Sequence, residues 1–366
     1  MDSKNTFTFL AFFFLGIVVA LALQIYFFSP ISPQILDVPS PSLVNSIFPP
    51  NNHLQEVTKI GEGLLKDPED VCVDKDGTLY TAGRDGWIKR MLKNNGSLLQ
   101  NWKWVNSTTL LGVATIAKGG IVICDTQEGL LRVDDDGVTT IVSHFNGSKL
   151  RFADDVIEGE DGSLYFSIAS TKFGLHNWFF DLLEAKPNGQ LLKFNPQTKE
   201  TSLLLDNLYF ANGVALSSDQ RYLLVCETWK SRCLKHWLKG DLQGTTEIFI
   251  DNLPGAPDNI NLAPDGSFWI AVIELSNKAM KFVHTSKIAK HLLATFPRLI
   301  KFVQASHKKA TVMKVSEDGK ILKRFDDPDG TVVSFVTSAV EYEDNLYLGS
   351  LNSNFVAKLS LNTDSA

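Results

Sequence analysis

The stretch APDGSFWIAV, residues 263–272, is a polar turn followed by an apolar strand, and it decides the fold because its form recurs along the chain. The further copies are DKDGTLYTAG (74–83), AKGGIVICD (117–125), GEDGSLYFSI (159–168), SSDQRYLLVCE (217–227) and YEDNLYLGSL (342–351). Each copy is followed, after a polar gap, by a second strand of alternating character: GWIKRML, GLLRVD, GQLLKFN, RCLKHWL, ATVMKVS and NFVAKLSL. Hairpins repeated in series with turn residues between them are typical of propeller blades.

The repeat predicts an all-β fold, a six-bladed β-propeller over residues 55–366. Before it come a membrane or signal segment at 1–28 and a linker at 29–54. A β-sandwich is the weaker alternative, because its strands would not repeat in this order.

Residues 6–28, TFTFLAFFFLGIVVALALQIYFF, carry no charge and are long enough to span a bilayer. The run is too long for a simple cleaved signal, and Lys4 stands before it, which favours a retained signal anchor. The small-residue pattern Ala20-Leu21-Ala22 leaves cleavage open. In either case the rest of the chain enters the secretory lumen.

Glycosylation motifs also favour a lumenal location for the chain after residue 28. Glycosylation acceptor triplets begin at Asn95, Asn106 and Asn146. A net charge of −6 argues against a nucleic-acid partner, which would need a basic face.

The four cysteines are too few for a disulfide scaffold. Cys72 and Cys124 lie in apolar strand patterns, where a buried thiol is expected. Cys226 and Cys233 flank a short turn, so a cross-strand disulfide is one interpretation of this pair and two free thiols the other.

Two segments interrupt the repeat. Residues 278–309, placed between the last two blades, have helical periodicity, a proline at Pro297, eight Lys and Arg residues and no acid. They predict a helical insertion that acts as a lid or rests on anionic lipid, or else a surface helix packed on the propeller. Residues 171–187 form an aromatic loop that could overhang one end of the propeller, where substrate contacts are common.

A candidate metal site comes from the residues that precede the innermost strands, because these converge on the axis of a propeller. The phrases share an acid or amide before an apolar strand: LLKDPEDVCVD with Glu69, LRFADDVIEG with Asp154, NLYFANGVALS with Asn212, and GAPDNINLAP with Asp258 and Asn259. Calcium takes six to eight oxygen ligands of these types. The absence of Cys and His from the set disfavours zinc and copper. The alternative is that these are ordinary turn residues that bond nearby backbone N–H groups.

The phrases PEDV, FADDV with DGSLYF, YFANGVALS and PDNINLAPDGSFWIA resemble the plant strictosidine synthase-like proteins and the animal adipocyte plasma membrane-associated protein. These belong to the wider gluconolactonase and paraoxonase superfamily, and the similarity runs from about residue 55 to the C-terminus. The resemblance implies a six-bladed propeller, an N-terminal membrane segment and, in the hydrolase branch, a central calcium. It also implies residence at the endoplasmic reticulum membrane with a lumenal catalytic domain, or in the vacuole.

By position, Glu69, Asn212 and Asp258 match the calcium ligands of the hydrolase branch, and Asn259 matches the accompanying amide. Asp154 departs from the family, which usually has asparagine there. An extra carboxylate would bind a divalent cation more strongly, or be protonated when no ion is bound.

Catalytic residues of the relatives are missing here. Strictosidine synthase condenses an amine with an aldehyde through a glutamate, and the matching place falls at Val336 or Thr337, neither of which transfers a proton. Glu341 aligns with a different acid. The hydrolases have a histidine where this chain has Leu111, and His176 in the aromatic loop is the candidate substitute.

The sequence therefore supports two main hypotheses. The first is a calcium-dependent hydrolase of a small ester, lactone or related electrophile, with Asp258 and His176 as catalytic candidates. The second is a non-catalytic lumenal propeller with structural calcium that binds a partner or lipid. Amine–aldehyde condensation is a third, weaker alternative. The N-terminal helix, and the basic insertion as a second contact, would bind the membrane.

Overall fold

The computed structural model describes residues 3–38, 42–93, 98–274, 277–303 and 308–362. Within them, six four-stranded antiparallel sheets form the blades of a propeller, which confirms the predicted fold. In chain order from inside to outside, the first five blades are β2–β5 (Val71–Val73, Leu79–Ala82, Trp87–Met91, Leu99–Trp104), β6–β9 (Leu110–Thr115, Ile121–Asp125, Gly129–Asp134, Gly137–Val142), β12–β15 (Ala153–Glu158, Leu164–Ile168, Gly189–Asn195, Glu200–Leu208), β16–β19 (Ala211–Leu216, Tyr222–Glu227, Arg232–Trp237, Thr246–Ile250) and β20–β23 (Ala256–Leu262, Phe268–Ile273, Ala310–Val315, Ile321–Asp327).

The sixth blade joins the two ends of the propeller. Strands β24 (Val336–Tyr342), β25 (Asn345–Ser350) and β26 (Val356–Ser360) come from the C-terminal part, and the outermost strand β1 (Thr58–Ile60) comes from the N-terminal part. β1 pairs antiparallel with β26, with Thr58 opposite Lys358. This pairing closes the ring, because strands from both ends of the chain complete the sixth blade. A separate small hairpin consists of β10 (His144–Phe145) and β11 (Ser148–Lys149).

The predicted hairpins are the second and third strands of each blade. Second strands such as β13, β17 and β21 are fully buried, because blades pack face to face around the ring and both faces of each sheet are covered. Third strands such as β4 and β18 contain both buried and partly exposed residues. The innermost strands β2, β6, β12, β16, β20 and β24 each contact the innermost strands of the two neighbouring blades. They therefore bring residues from distant parts of the chain to one axis.

The apolar N-terminal segment forms helix α1 (Ser3–Phe28). Its span Thr6–Phe28 has a mean hydropathy of 2.5, and the most apolar part of it is not buried in the protein, so the helix is long and apolar enough to cross a membrane. A short helix α2 (Ser42–Ile47) and a turn of 3₁₀ helix (His53–Glu56) follow before β1.

The predicted position of the helical insertion, between the last two blades, is wrong. The insertion interrupts the fifth blade between its second and third strands, β21 and β22, and consists of α4 (Lys278–His284), α5 (Lys287–Thr295) and a 3₁₀ segment (Pro297–Phe302). The predicted pairing of ATVMKVS with APDGSFWIAV is itself confirmed, and because the insertion lies between these two partners, it falls inside the fifth blade. The aromatic loop of the third blade contains a 3₁₀ turn (Leu175–Asn177) and α3 (Trp178–Glu184) between β13 and β14. A further 3₁₀ turn (Thr228–Lys230) joins β17 and β18.

Two of the three candidate glycosylation sites lie within the described residues. Asn106 and Asn146 are exposed on loops, as acceptor sites need to be. Asn95 lies outside the described residues.

Cys226 and Cys233 form a disulfide between directly opposed positions of β17 and β18, which confirms the cross-strand interpretation. Cys72 and Cys124 are buried free thiols, as expected. A disulfide between neighbouring strands fits an oxidising compartment.

Replacing both Cys226 and Cys233 with alanine should lower the free energy of unfolding by about 2 kcal/mol, since the bond closes a short loop in the unfolded chain. Urea unfolding measures this loss. Reductant should destabilise the wild type by a similar amount and leave the double variant unchanged. Equal stability of the variant and the oxidised wild type would contradict the prediction.

Candidate functional site

The site residues lie where the innermost strands leave regular pairing. Strand pairing shifts register between Ala153 and Val156, between Ala211 and Val214, and between Pro257 and Ile260. Such bulges redirect the side chains of the extra residues. The bulged positions are those of Asp154, Asn212, Asp258 and Asn259, and Glu69 stands just before β2.

Four of the candidate ligands line one cavity at the axis. Glu69, Asp154, Asn212 and Asp258, from four different blades, all face a cavity of about 550 Å³. Its remaining wall is mostly apolar and aromatic: Leu111, Phe152, Leu175, Trp178, Phe210, Trp229, Ile273, Phe335 and Leu351. The structure thus brings together residues that lie up to 189 positions apart in the chain.

Several oxygen atoms at this site lack a hydrogen-bond partner. Asn259 does not line the cavity but donates from Nδ2 to Oε1 of Glu69 at 2.9 Å. Among the described residues, Glu69 Oε2, Asn212 Oδ1 and Asn259 Oδ1 are buried with no hydrogen bond. Unsatisfied buried oxygens are costly, so a ligand that accepts their lone pairs would stabilise the site.

Burial and mutual repulsion raise the pKa of each carboxyl group here. The pKa of Glu69 is well above its usual range because of burial and the charges of Asp70 and Asp258, and that of Asp154 because of burial and Asp258. Burial raises the pKa of Asp258 to about 7, although a hydrogen bond from Asn212 opposes the shift. The ionised forms of these carboxyl groups are therefore unfavourable without a counter-charge, and a bound cation would stabilise them.

Arg84 is a cavity residue that the sequence analysis did not identify. Burial lowers its pKa, while the charges of Glu69, Asp67 and Asp154 raise it. Three carboxylates and one guanidinium leave two negative charges when all are ionised, which matches a divalent cation.

Trp229 is a second cavity residue that the sequence pattern did not indicate. Both Arg84 and Trp229 lie on connections between the second and third strands of their blades, as do His176 and Trp178.

The second acid of each ED or DD pair has a structural role. Asp70 accepts the backbone N–H of Val113 in the second blade at 2.8 Å, and Asp155 accepts that of Val214 in the fourth blade at 2.7 Å. Each also accepts the N–H of the residue that follows it. These carboxylates therefore connect neighbouring innermost strands and do not line the cavity.

The donor set fits calcium in its chemistry, since it combines carboxylate and amide oxygens from a ring of strands. Over the described parts of the chain, no three His, Cys, Asp or Glu side chains form a metal-binding cluster by themselves. A calcium ion at this site would therefore need the amide oxygens and water in addition to the carboxylates.

The other catalytic candidates have distinct positions. His176 is exposed and lines the cavity. Leu111, the residue at which the sequence resemblance predicts the hydrolases' histidine, also lines it. Thr337 is buried and its hydroxyl donates to the carbonyl oxygen of Glu69 at 2.5 Å, so it cannot replace the glutamate of the condensing enzyme. Glu341 accepts from Trp269 at 2.6 Å and from Lys314 at 3.0 Å, outside the cavity lining.

Solved structures share this architecture at low sequence identity. A gluconolactonase from Xanthomonas campestris superposes with a TM-score of 0.58 and 14% identity, over 91% of this chain and 96% of the other. A calcium-binding protein, regucalcin, from Agrobacterium tumefaciens superposes with a TM-score of 0.52 and 13% identity, over 82% and 92%. At this identity the likeness shows the fold alone.

Sequence comparisons are closer. Residues 154–241 match the family description strictosidine synthase, and residues 47–91 match its strictosidine synthase-like N-terminal part. The Arabidopsis thaliana protein strictosidine synthase-like 4 is 34% identical over 98% of this chain and 96% of its own length. The mouse adipocyte plasma membrane-associated protein is 29% identical over 91% and 85%. The chain therefore belongs to the strictosidine synthase-like family.

Proposed function

We propose that this protein is a calcium-dependent hydrolase of a small ester, lactone or related electrophile. The observation that carries the proposal is the set of buried, unpartnered oxygens of Glu69, Asn212 and Asn259 beside the carboxylates of Asp154 and Asp258. Glu69, Asp154, Asn212 and Asp258 would hold calcium, with Asn259 fixing one oxygen of Glu69. When bound, calcium would supply Lewis-acid polarisation of the substrate's carbonyl or phosphoryl oxygen.

The chain's own groups would bind the substrate and move protons. The aromatic wall of Phe152, Phe210 and Trp229 excludes water and takes the apolar part of the substrate. Asp258 Oδ accepts a proton from the water that attacks the acyl carbon. His176, which is exposed and lines the cavity, would give a proton to the leaving oxygen as the ester bond breaks.

Condensation of an amine with an aldehyde is not proposed. The positions that match the required glutamate, Val336 and Thr337, have no proton to transfer within the cavity. Membership of the family therefore does not carry the activity of strictosidine synthase with it.

We also propose residence at the endoplasmic reticulum membrane, with the propeller on the lumenal side. The apolar helix α1, the disulfide between Cys226 and Cys233 and the exposed acceptors Asn106 and Asn146 support this location. The vacuole is the alternative compartment.

Removal of calcium from the full-length protein should abolish turnover on a panel of esters and lactones while the β-sheet circular dichroism persists, because the blades have their own apolar cores. Added calcium should restore turnover, and magnesium should not, since it demands a tighter octahedral site. The panel is assayed in detergent, with metal content measured in parallel.

The same experiment tests the non-catalytic alternative. That hypothesis expects no turnover by the calcium-loaded protein and unfolding on chelation. Turnover that is unaffected by chelation would contradict the calcium mechanism altogether.

A further inference from the structure

The helical insertion exposes large apolar side chains. Phe282, Ile288 and Phe302 are 68%, 77% and 72% exposed, respectively. Exposed apolar side chains grouped on one segment are typical of a binding surface. We call these three residues, with the exposed basic residues around them, the insertion face.

The opposite side of the insertion packs on the propeller. Met280 and Val283 of α4 and Leu293 and Ala294 of α5 are buried in a cluster that includes Leu182 of α3. The insertion is therefore a packed element with a fixed orientation. Its exposed apolar residues are additional to the apolar residues that pack on the propeller.

Charge on the insertion face is entirely basic. Lys278, Lys281, Lys287, Arg298 and Lys301 are exposed, and residues 278–309 include no Asp or Glu. Basic side chains that flank exposed Phe and Ile match the interfacial zone of a bilayer, where the cations reach phosphate headgroups and the apolar groups enter the acyl boundary.

The position of α1 identifies the partner. Helix α1 contacts α5, and the hydroxyl of Ser29, the first residue after α1, lies 2.7 Å from Nδ1 of His291 in α5. The following residues are also fixed to the insertion: Lys290 donates to the carbonyl oxygen of Gln34 at 2.5 Å, and Leu36 donates to that of His284 at 3.2 Å. If α1 spans a bilayer, these bonds hold the insertion at the level where the helix leaves the lipid.

We propose that the insertion face docks on the phospholipid bilayer that holds α1, so that the protein has two membrane contacts instead of one anchor and a free domain. The insertion joins the second and third strands of its blade, as do the connections that line the cavity. Docking would therefore turn the cavity end of the propeller toward the membrane.

A fluorescent reporter on full-length protein in phosphatidylcholine nanodiscs tests this proposal. Ile288→Cys and Phe302→Cys are each labelled with an environment-sensitive dye, and Ile248→Cys, 52% exposed on β19, is the matched control. The native free thiols, Cys72 and Cys124, are buried and stay unlabelled in the folded protein. Dye emission is read with and without nitroxide-bearing lipid.

The labels at 288 and 302 should emit at shorter wavelength than the control label and lose fluorescence to the nitroxide lipid, while the label at 248 should do neither. Labels at 288 and 302 that match the control in both measurements would overturn the proposal. Release of the chain from membranes by alkaline carbonate would also overturn it, because α1 would then not hold the insertion at the lipid. Neither outcome depends on hydrolase activity.

Discussion

Replacing Asp258 with asparagine should abolish calcium binding and turnover, and should nevertheless make the calcium-free protein more stable above neutral pH. The two effects have one cause. Burial raises the pKa of this carboxyl group to about 7, so its ionised form is unfavourable in the folded protein without a cation. Asparagine keeps the shape of the side chain and can still pair with Asn212, but it cannot ionise or accept a proton from water.

The sign of the pH dependence follows from the two states. In the unfolded chain Asp258 titrates near its ordinary value of 3.8, and in the folded chain near 7, so the folded state binds more protons between these values. The calcium-free wild type should therefore lose stability as pH rises from about 4 to about 7, by at most about 4 kcal/mol from this group. The variant should lack this part of the loss.

Urea unfolding at pH 5 and pH 8, with chelator or with calcium, measures both effects, and titration calorimetry measures calcium affinity. Turnover should fall by roughly 100-fold or more if Asp258 is the base. Asp161→Asn, the same substitution at an exposed turn of the third blade, should leave calcium binding, turnover and their pH dependence unchanged. If Asp258→Asn bound calcium as tightly as the wild type, Asp258 would not be a calcium ligand and the proposed site would be wrong.

The sequence identifies the second and third strands of every blade because the same order of turn, buried run and second strand recurs, even in the fifth blade, where the insertion separates the two strands. It does not identify outer strands such as β5 and β9, whose residues are largely polar or exposed. The closing strand β1 has only three residues, and its pairing with β26 joins positions about 300 residues apart. No local pattern carries such a contact.

The candidate site shows a similar division. Position before an apolar strand is enough to select Glu69, Asp154, Asn212 and Asp258, because the innermost strands all lead to the axis. The two acids of a DD pair look alike in sequence, and only the bulge separates the one that lines the cavity from the one that ties strands together. Arg84 lies on the connection between the second and third strands of its blade, the same kind of connection as the aromatic loop, and this shared position is the signal that indicates it.

Gly213 follows the candidate ligand Asn212 and lies against the neighbouring blade. A Cβ atom there would lie 2.5 Å from the backbone nitrogen of Ile260 and 2.6 Å from both Cα of Asn259 and the carbonyl oxygen of Asp258. These are backbone atoms of a bulge, so they cannot move aside as a flexible side chain would. Glycine is therefore required where the fourth and fifth blades approach each other.

Gly213→Ala should lower the free energy of unfolding by about 3 kcal/mol through overpacking and weaken calcium binding, because relief of the clash moves the backbone that carries Asp258 and Asn259. Gly174→Ala is the matched control: its added Cβ would meet nothing within 4 Å, and its φ of −88° suits alanine. Urea unfolding and calorimetric calcium titration distinguish the two variants. If Gly213→Ala were as stable as Gly174→Ala and bound calcium as tightly as the wild type, the close contact between these blades would not position the ligands. Loss of calcium affinity together with stability would instead show that the packing of two innermost strands, and not the ligand side chains alone, builds the site.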